Sequence, residues 1–193
     1  MISETFLVRL WNDAARELKG KFSMPFHWYN GGSRFGGTYT FCIELNYKNI
    51  PLKIESRILE LPLKKDEYKD CEIKITAEKE SFEIIELSIW RKDYIDKLFG
   101  SRKSLTGYKN LDSVIGLKAS KNIETRLSKI FENEPLRKEL INDKLRAYNI
   151  STDNNLITVQ RKSGLQVQNV EMFKVEFEKF CLLLDGLIES RIL

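Results

Sequence analysis

Apolar and polar residues alternate with a period of two through the first half of the chain. Tyr39 to Tyr47 alternates cleanly, and Ile50 to Ile58 repeats the pattern after a tight connection at Lys48-Asn49. This alternation is typical of a β-hairpin with one buried face and one wetter face. Similar short runs predict strands near residues 71–77, 82–89, 114–119, 145–150 and 156–160. The adjacent Ile84-Ile85 interrupts the alternation, and we expect a bulge or burial on both faces there.

Helical spacing appears mainly at the two ends of the chain. Residues 6–18 carry an apolar stripe, with Ser3 as the expected N-cap and Gly20 as the expected residue after the C-cap. The clearest helix is predicted over 173–188, where apolar residues recur every three or four positions. Shorter helices are predicted at 90–99, at 123–131 and after Pro135, and residues 101–113 are predicted to be a polar linker.

The order of these elements indicates the fold class. Strands cluster early, helices cluster late, and strands rarely alternate with helices. We therefore expect an α+β fold, with a mostly antiparallel sheet and with N- and C-terminal helices packed on one face. A length of 193 residues suits a single domain over 1–193, with a possible subdivision near 100–113.

Composition excludes several classes of protein. With 42% apolar and 31% charged residues, a formal net charge of +4 and four prolines, the chain is neither disordered nor of low complexity. No secretory signal begins the chain, and no apolar run approaches the length of a membrane span. The cysteines at 42, 71 and 181 form no CxxC pair and His27 is the only histidine, so we expect a cytoplasmic protein without metal or cofactor.

Aromatic residues and glycines concentrate in one short segment, residues 26–37. Four glycines within seven residues indicate turns rather than a regular element. Aromatic side chains and arginine dominate many interface hot spots, which favours a binding surface. The alternative is that the rings close one end of the sheet and the glycines only turn the chain. The candidate binding residues are Phe26, His27, Trp28, Tyr29, Arg34 and Phe35.

Positive charge concentrates in the middle of the chain. Residues 91–148 hold 14 basic and 8 acidic groups, net +6, whereas residues 1–90 and 149–193 each have a net charge of −1. A flexible basic stretch could contact phosphates or an acidic partner, and the alternative is a solvated loop that maintains solubility. The candidate basic patch is Lys97, Arg102, Lys103, Lys109, Lys118 and Lys121.

Catalysis has weaker support in the sequence. His27 could act as a general base because its ordinary pKa lies near neutrality. A base also needs an orienting group and a nucleophile, and the sequence indicates neither. Ser33 lies between glycines but lacks the GxSxG turn of hydrolases. No catalytic residue is therefore assigned, and an enzyme is the less favoured alternative.

A resemblance to known proteins begins at Gly107. It is carried by Gly107, Leu111-Asp112 and Ile115-Gly116-Leu117, and then by a helix pair, two short strands and a long helix. In this order the chain resembles a loosely defined family of uncharacterised bacterial α+β domains. Tyr108 and Leu111 depart from that pattern, which usually has an acidic and an aromatic residue at these positions. The resemblance implies the α+β fold, and it implies no activity and no catalytic residues.

The hypothesis that follows is a non-enzymatic domain that binds another macromolecule, most simply a protein, through the 26–35 segment. The alternatives are binding of nucleic acid or a phosphate ligand through residues 97–121, and an enzyme that uses His27.

Overall fold

A computed structural model describes residues 4–31, 34–59, 73–93, 106–142, 147–163 and 169–193. For residues 4–5, 26–31, 34–39, 57–59 and 162–163 the description is of the backbone. The chain divides into two compact units. The first comprises Met1–Thr76 and Lys162–Glu176, and the second comprises Ala77–Arg161 and Phe177–Leu193.

The first unit combines one helix with long antiparallel strands. Both β1 and β2 pair with β3, and β3 pairs with β4. The bounds are α1 Glu4–Glu17, β1 Lys21–Ser23, β2 Phe26–Gly31, β3 Arg34–Tyr47 and β4 Ile50–Leu59, with the start of β5 Ile73–Glu80 and of α5 Val170–Glu189.

The end of α1 is closed by a two-bond capping motif. The Gly20 amide donates to the Ala15 carbonyl at 2.8 Å, the Lys19 amide donates to the Arg16 carbonyl at 3.1 Å, and Lys19 has a φ of 54°. The left-handed residue after the helix is thus Lys19, so the assignment of this position to Gly20 is wrong by one residue. Gly20 is needed for another reason, because a Cβ there would lie 2.7 Å from Ile43 Cγ2.

The core of the first unit lies on the side of β3 that faces α1. Trp11 packs edge-on against Phe41 at 5.6 Å between ring centroids, and against Phe173 of α5 at 4.8 Å. Ile43 and Leu45 continue the buried row along β3. Both terminal helices therefore contribute to one apolar layer on this face of the sheet.

The second unit holds five strand segments and most of the short helices. Its strand order is β5-β9-β8-β6-β7, and β6 pairs antiparallel with both β7 and β8. The bounds are β6 Glu86–Arg91, α2 Lys109–Asp112, β7 Ile115–Ala119, a 3-10 helix Lys121–Arg126, α3 Leu127–Ile130, α4 Glu134–Asn142, β8 Ala147–Asp153 and β9 Leu156–Ser163, with the ends of β5 and α5.

The two tight hairpins use left-handed residues at both central positions. Lys48 and Asn49 join β3 to β4 with φ of 48° and 65°, and Asn154 and Asn155 join β8 to β9 with φ of 48° and 62°. Such turns match the right-handed twist of paired strands, and asparagine tolerates this conformation better than most residues. The connection at Lys48-Asn49 is the one that the sequence predicts.

The predicted α+β fold, with a mostly antiparallel sheet and with terminal helices, is confirmed. The strand predicted over 82–89 is partly wrong, because β6 begins at Glu86. Ile85 is buried as expected, but Ile84 is 75% exposed, so burial on both faces is wrong for this pair. In the predicted helix over 90–99, Trp90 and Arg91 belong to β6, and residues 94–99 lie outside the described part.

Residues 106–113, predicted as part of a polar linker, contain α2 and an ordered turn that lead into β7. Residues 101–105 of that linker lie outside the described part. Helices near 123–131 and from Pro135 are confirmed, the first as a 3-10 helix followed by α3. Within the described residues, no helix is both long enough and apolar enough to cross a membrane.

Candidate functional site

Residues 26–31 and 34–37 of the aromatic–glycine segment form two paired strands, so the interpretation as turns is wrong for Gly31, Gly36 and Gly37. Phe26 pairs with Tyr39, Trp28 with Gly37, and Gly31 with Arg34. The register continues that of β1, and the Thr40 amide donates to the Pro25 carbonyl at 3.0 Å. Pro25 interrupts the edge strand because it has no N–H, which is tolerated at a sheet edge.

Part of this hairpin has only two strands. The pairing of β3 with β4 ends at Thr38 and Leu59, so the pairs from Trp28–Gly37 to Gly31–Arg34 have no third strand among the described residues. We call residues 28–31 and 34–37 the ribbon. It carries four of the six predicted binding residues, and Phe26 and His27 lie at its base. The pairing therefore brings these six positions together.

The register divides these six positions between two faces of the hairpin. Directly paired residues share a face, and successive residues alternate. One face has the positions of Phe26, Trp28 and Phe35, and it is the face on which Phe41 and Ile43 of β3 are buried. The other face has the positions of His27, Tyr29 and Arg34. Thr38 and Gly36, which pair with His27 and Tyr29, lie on this face too.

Two of the three glycines of the ribbon occupy positions opposite large aromatic residues. Trp28 pairs with Gly37, and Tyr29 pairs with Gly36. A glycine in a strand leaves a gap on the sheet that a cross-strand aromatic residue can cover. This placement explains why Gly36 and Gly37 lie within a strand rather than in a turn. The two residues between the paired strands, 32 and 33, lie outside the described part.

No carboxylate is paired beside His27 in the described register. His27 pairs with Thr38, whose partner on β4 is Leu59. Glu55, the nearest acidic residue on β4 in this register, pairs with Cys42, four residues further along β3. At about 3.3 Å per residue, this places the two backbones more than 10 Å apart. Among the described strands, the register therefore places no carboxylate beside His27.

The basic stretch is not one flexible loop. Lys109 is the first residue of α2, Lys118 lies in β7, and Lys121 is the first residue of the 3-10 helix. All three side chains are exposed. In the sequence, Lys109 lies before β7, Lys118 lies within it and Lys121 lies just after it. The expectation of a mobile loop is wrong for these residues. Lys97, Arg102 and Lys103 lie outside the described part of the chain.

The turn before β7 is held by a buried hydroxyl. Thr106 is fully buried, and its Oγ1 donates to Asp112 Oδ1 at 2.9 Å and accepts from the Tyr108 amide at 3.1 Å. Gly107 has a φ of 83°, which favours glycine. The Arg137 guanidinium lies 4.1 Å from the centroid of the Tyr108 ring. These contacts explain several residues of the noted resemblance by their structural roles.

A second aromatic–glycine pair occurs in the second unit, and here the side chains are described. Trp90 of β6 pairs with Gly116 of β7, and a Cβ on Gly116 would lie 2.3 Å from Trp90 Cε2. The indole ring therefore lies directly over Gly116. Lys118, two residues further along β7, shares this face and pairs with Ser88. The face thus combines a partly exposed aromatic ring with an exposed ammonium group.

The segment between β5 and β6, residues 81–85, exposes the two most accessible large apolar side chains described. Phe82 is 95% exposed and Ile84 is 75% exposed. The sequence pattern does not predict this exposure, because both residues lie in the run 82–89 that is predicted as a strand. The adjacent Ile84-Ile85 was the available signal, since a break in alternation also occurs where a chain leaves a sheet.

The described cysteines have no features of reactive thiols. Cys42 and Cys181 are buried and form no disulfide. Burial raises the pKa of the Cys42 thiol above its ordinary value, although the ammonium of Lys53 acts in the opposite direction. A thiol with a raised pKa is a poor nucleophile at neutral pH. Within the described ranges, no three His, Cys, Asp or Glu side chains are grouped so that they could hold a metal ion.

Comparison with known proteins assigns no family to this chain. No protein-family model, no curated protein and no solved structure matches it. The resemblance to uncharacterised bacterial α+β domains stays a prediction.

Proposed function

We propose that this protein is a non-enzymatic interaction domain that binds another protein through the ribbon and its base. The observation that carries the proposal is the β2–β3 register, which gathers Trp28, Tyr29, Arg34 and Phe35 on a two-stranded ribbon. Aromatic residues and arginine supply most of the binding energy in many interfaces. A ribbon edge also offers backbone groups that an added strand can pair with.

Charge favours a protein partner over a nucleic acid for this surface. Residues 26–39 contain five aromatic residues, and apart from His27 and the tyrosines the only ionisable group is Arg34. Binding to a nucleic acid backbone depends on several cations that each neutralise a phosphate. One cation among five aromatic residues is better matched to an apolar protein surface with an acidic neighbour. We further propose a cytoplasmic location, which is supported by Cys42 and Cys181 because both are buried and neither forms a disulfide.

The test compares ribbon variants with a matched variant elsewhere. Trp28→Ala and Arg34→Ala should each weaken binding to a partner captured from the source cells by about tenfold or more. Phe6→Ala removes another exposed aromatic ring, 46% exposed on α1, and should leave the affinity unchanged. Affinities are measured by calorimetry with the purified partner, and the free energy of unfolding of each variant is measured with urea.

The stability measurement separates the proposal from its main alternative. If the rings only close the end of the sheet, Trp28→Ala lowers the free energy of unfolding. Its affinity for any captured partner then equals that of Phe6→Ala. Unchanged partner affinity for both ribbon variants would contradict the proposal.

A specific observation favours nucleic acid as the second candidate ligand, at a different place. The Trp90 ring lies over Gly116, and Lys118 shares that face of the sheet. Stacking on an aromatic ring beside a cation is how many proteins hold single-stranded nucleic acid. Anisotropy of a labelled oligonucleotide should then fall with added salt, and Lys118→Ala should reduce the salt dependence. Absence of binding at low salt would remove this candidate.

A further inference from the structure

β1 and β2 together form one long edge of the sheet in the first unit. Both pair with β3, and their two registers are continuous across Pro25. Among the described residues, no strand pairs with the outer side of this edge. We propose that the partner protein adds an extended segment carrying a carboxylate to residues 21–31. The inference rests on the proposed function, because it names how the ribbon and its base would hold their partner.

The alternation of hydrogen bonds shows which backbone groups of the edge face outward. The Thr40 amide donates to the Pro25 carbonyl at 3.0 Å, so the odd-numbered residues of the edge face β3. In an antiparallel ladder, the residues between them direct their N–H and C=O groups to the other side. The outward residues are Phe22, Met24, Phe26, Trp28 and Asn30. None of them is proline, so the outer row of donors and acceptors is complete.

The one proline of this edge does not protect it. A proline in an edge strand usually turns its missing N–H toward solvent, which hinders the pairing of a further strand. The Pro25 carbonyl faces β3, and the nitrogen of the same residue lies on the same side. Pro25 therefore removes one bond of the internal ladder and none of the outward donors.

The edge strand of the second unit has the protection that this edge lacks. Within the described residues that strand is β7, which has five residues and carries Lys118. Short length and a lysine within the strand both discourage the addition of another strand. Residues 21–31 form a longer edge, whose only Lys, Arg, Asp or Glu is Lys21 at its first position. This comparison favours the edge of the first unit as the one that accepts a strand.

Cross-strand charges indicate what the added strand carries. Lys21 pairs with Glu44, and Glu44 pairs with Lys53. All three side chains are exposed, so positive and negative groups alternate across three strands on one face of the sheet. An added strand places a residue directly opposite Lys21. An Asp or Glu at that position continues the alternation, whereas a cation there would be repelled.

Phe22 indicates the residue beside that carboxylate. Its side chain is half-buried, and its ring lies edge-on to Phe41 with 5.9 Å between the centroids. The residue of an added strand opposite Phe22 lies on the same face and is adjacent to the residue opposite Lys21. An apolar side chain there would cover the exposed part of the Phe22 ring. The expected partner segment is thus extended, with an acidic and an apolar residue side by side.

A peptide strand from another protein fits this edge better than the other candidate molecules do. Alternating N–H donors and C=O acceptors are matched group for group by a second peptide backbone, which is how strand addition gains affinity. Phosphate groups of nucleic acids or lipids only accept from N–H groups and would leave the outward carbonyls unmatched. A second copy of this chain offers the same edge, but residues 21–31 contain no Asp or Glu to place opposite Lys21.

Selection of short peptides tests the inference. A library of random peptides about ten residues long is displayed on phage and selected on the immobilised full chain. We expect the selected peptides to share an Asp or Glu beside an apolar residue and to lack proline in that stretch. The tightest-binding peptide should slow hydrogen exchange at the outward amides of Met24, Phe26 and Trp28. The amides of His27 and Tyr29, which already face β3, should change less.

Two substitutions test the backbone bonds and the charge separately. Met24→Pro removes an outward N–H and no bond to β3, so it should bind the selected peptide at least about tenfold more weakly than Met24→Ala does. Lys21→Glu should also weaken binding. Lys79→Glu makes the same change of net charge at an exposed position of β5, and it should leave the affinity unchanged. Anisotropy of the labelled peptide gives the affinities.

The results separate this inference from the proposed function. Equal affinities of Met24→Pro and Met24→Ala, with weaker binding of Trp28→Ala, would overturn strand addition and leave the ribbon as a site that binds through side chains. If Trp28→Ala also binds as wild type does, both proposals fail. Selection of no peptide overturns the inference alone. So does a dimer of the chain that Met24→Pro dissociates in sedimentation, because the occupant is then a second copy.

Methylated peptides keep the test valid if Met24→Pro unfolds more easily in urea than Met24→Ala does. Methylation of alternate amide nitrogens of the selected peptide removes the same bonds from the partner's side and leaves the wild-type protein unaltered. Methylation of the set of amides that faces the edge should abolish binding, and methylation of the other set should not. Full binding of both methylated peptides would overturn the inference.

Discussion

The ribbon and the 81–85 segment are held in place by different bonds. The ribbon depends on the backbone ladder between β2 and β3 and on aromatic residues opposite glycines. The 81–85 segment depends on side chains from other elements, chiefly Thr152, Asn122 and Arg126. The ribbon is thus held by many backbone hydrogen bonds, whereas the 81–85 segment is held by a few polar side-chain atoms. We call Thr152, Asn122 and Arg126 the clamp. Single substitutions should therefore affect the two sites very differently.

The largest effect is expected where an aromatic–glycine pair leaves no space. Gly116→Ala would place a Cβ 2.3 Å from Trp90 Cε2 on a strand paired with β6. The ring must move away, and we expect a loss of about 2–3 kcal/mol in the free energy of unfolding. Urea denaturation measures this loss.

The equivalent substitution in the ribbon sharpens the comparison. Gly37 has the same register position relative to Trp28, but that pair has no third strand among the described residues. Gly37→Ala should therefore cost less than Gly116→Ala, because a two-stranded ribbon adjusts more easily. Equal losses at the two glycines would show that the ribbon is as constrained as the sheet of the second unit.

Removal of the Thr152 hydroxyl alone should release the 81–85 segment. Thr152→Val keeps the shape of the side chain but removes the donor to the Glu83 carbonyl and the acceptor for the Ile85 amide. Leaving these groups without a partner should cost about 1–2 kcal/mol. Hydrogen exchange of the Ile85 amide should accelerate at the same time.

The neighbouring Ser151 provides a matched control for this clamp. It is exposed on β8 and lies opposite Glu86, so Ser151→Ala should change stability by less than about 0.5 kcal/mol. Thr152→Val and Ser151→Ala could instead show the same free energy of unfolding and the same exchange rate of the Ile85 amide. That result would show that the segment is not held by the Thr152 hydroxyl.

Sequence periodicity predicts the regular elements of both units, because alternation and helical spacing reflect burial directly. The strands β3, β4 and β7 and the helices α1 and α5 follow from it within a few residues. Periodicity misjudges the ribbon, because glycine indicates a turn unless its cross-strand partner is known. Only the register reveals that Gly36 and Gly37 lie opposite Tyr29 and Trp28.

The 81–85 segment was missed for a related reason. Its exposure depends on Thr152, Asn122 and Arg126, which lie between 37 and 71 positions away in the sequence from the residues of the segment. A periodic pattern reflects only residues that are close together in the sequence. It therefore cannot predict hydrogen bonds between residues so far apart in the chain. Polar residues at those distant positions carry no periodic signal, so the clamp appears only when the chain is folded.

The smallest predicted effect reports on the sheet that supports the ribbon. Cys42 pairs with Ser23 in β1, and its thiol is buried with a raised pKa. The folded state therefore holds the thiol proton more tightly than the unfolded state does. This contribution to stability is complete below the ordinary thiol pKa of about 8.5 and is lost as pH rises through the raised value. Wild type should thus lose stability above about pH 8.5 more steeply than Cys42→Ala.

Comparing the two proteins at each pH removes the shared groups that do not interact with Cys42. Lys53 is not one of them, because its pKa, raised chiefly by Glu55, is also raised by the Cys42 thiolate. Urea unfolding at several pH values from neutral to alkaline gives the two slopes, and Cys42→Ala itself should cost about 1 kcal/mol at neutral pH. Parallel slopes would mean that the thiol titrates as it does in the unfolded chain. The sheet at the base of the ribbon would then open readily, and the ribbon would be less rigid than the 81–85 segment.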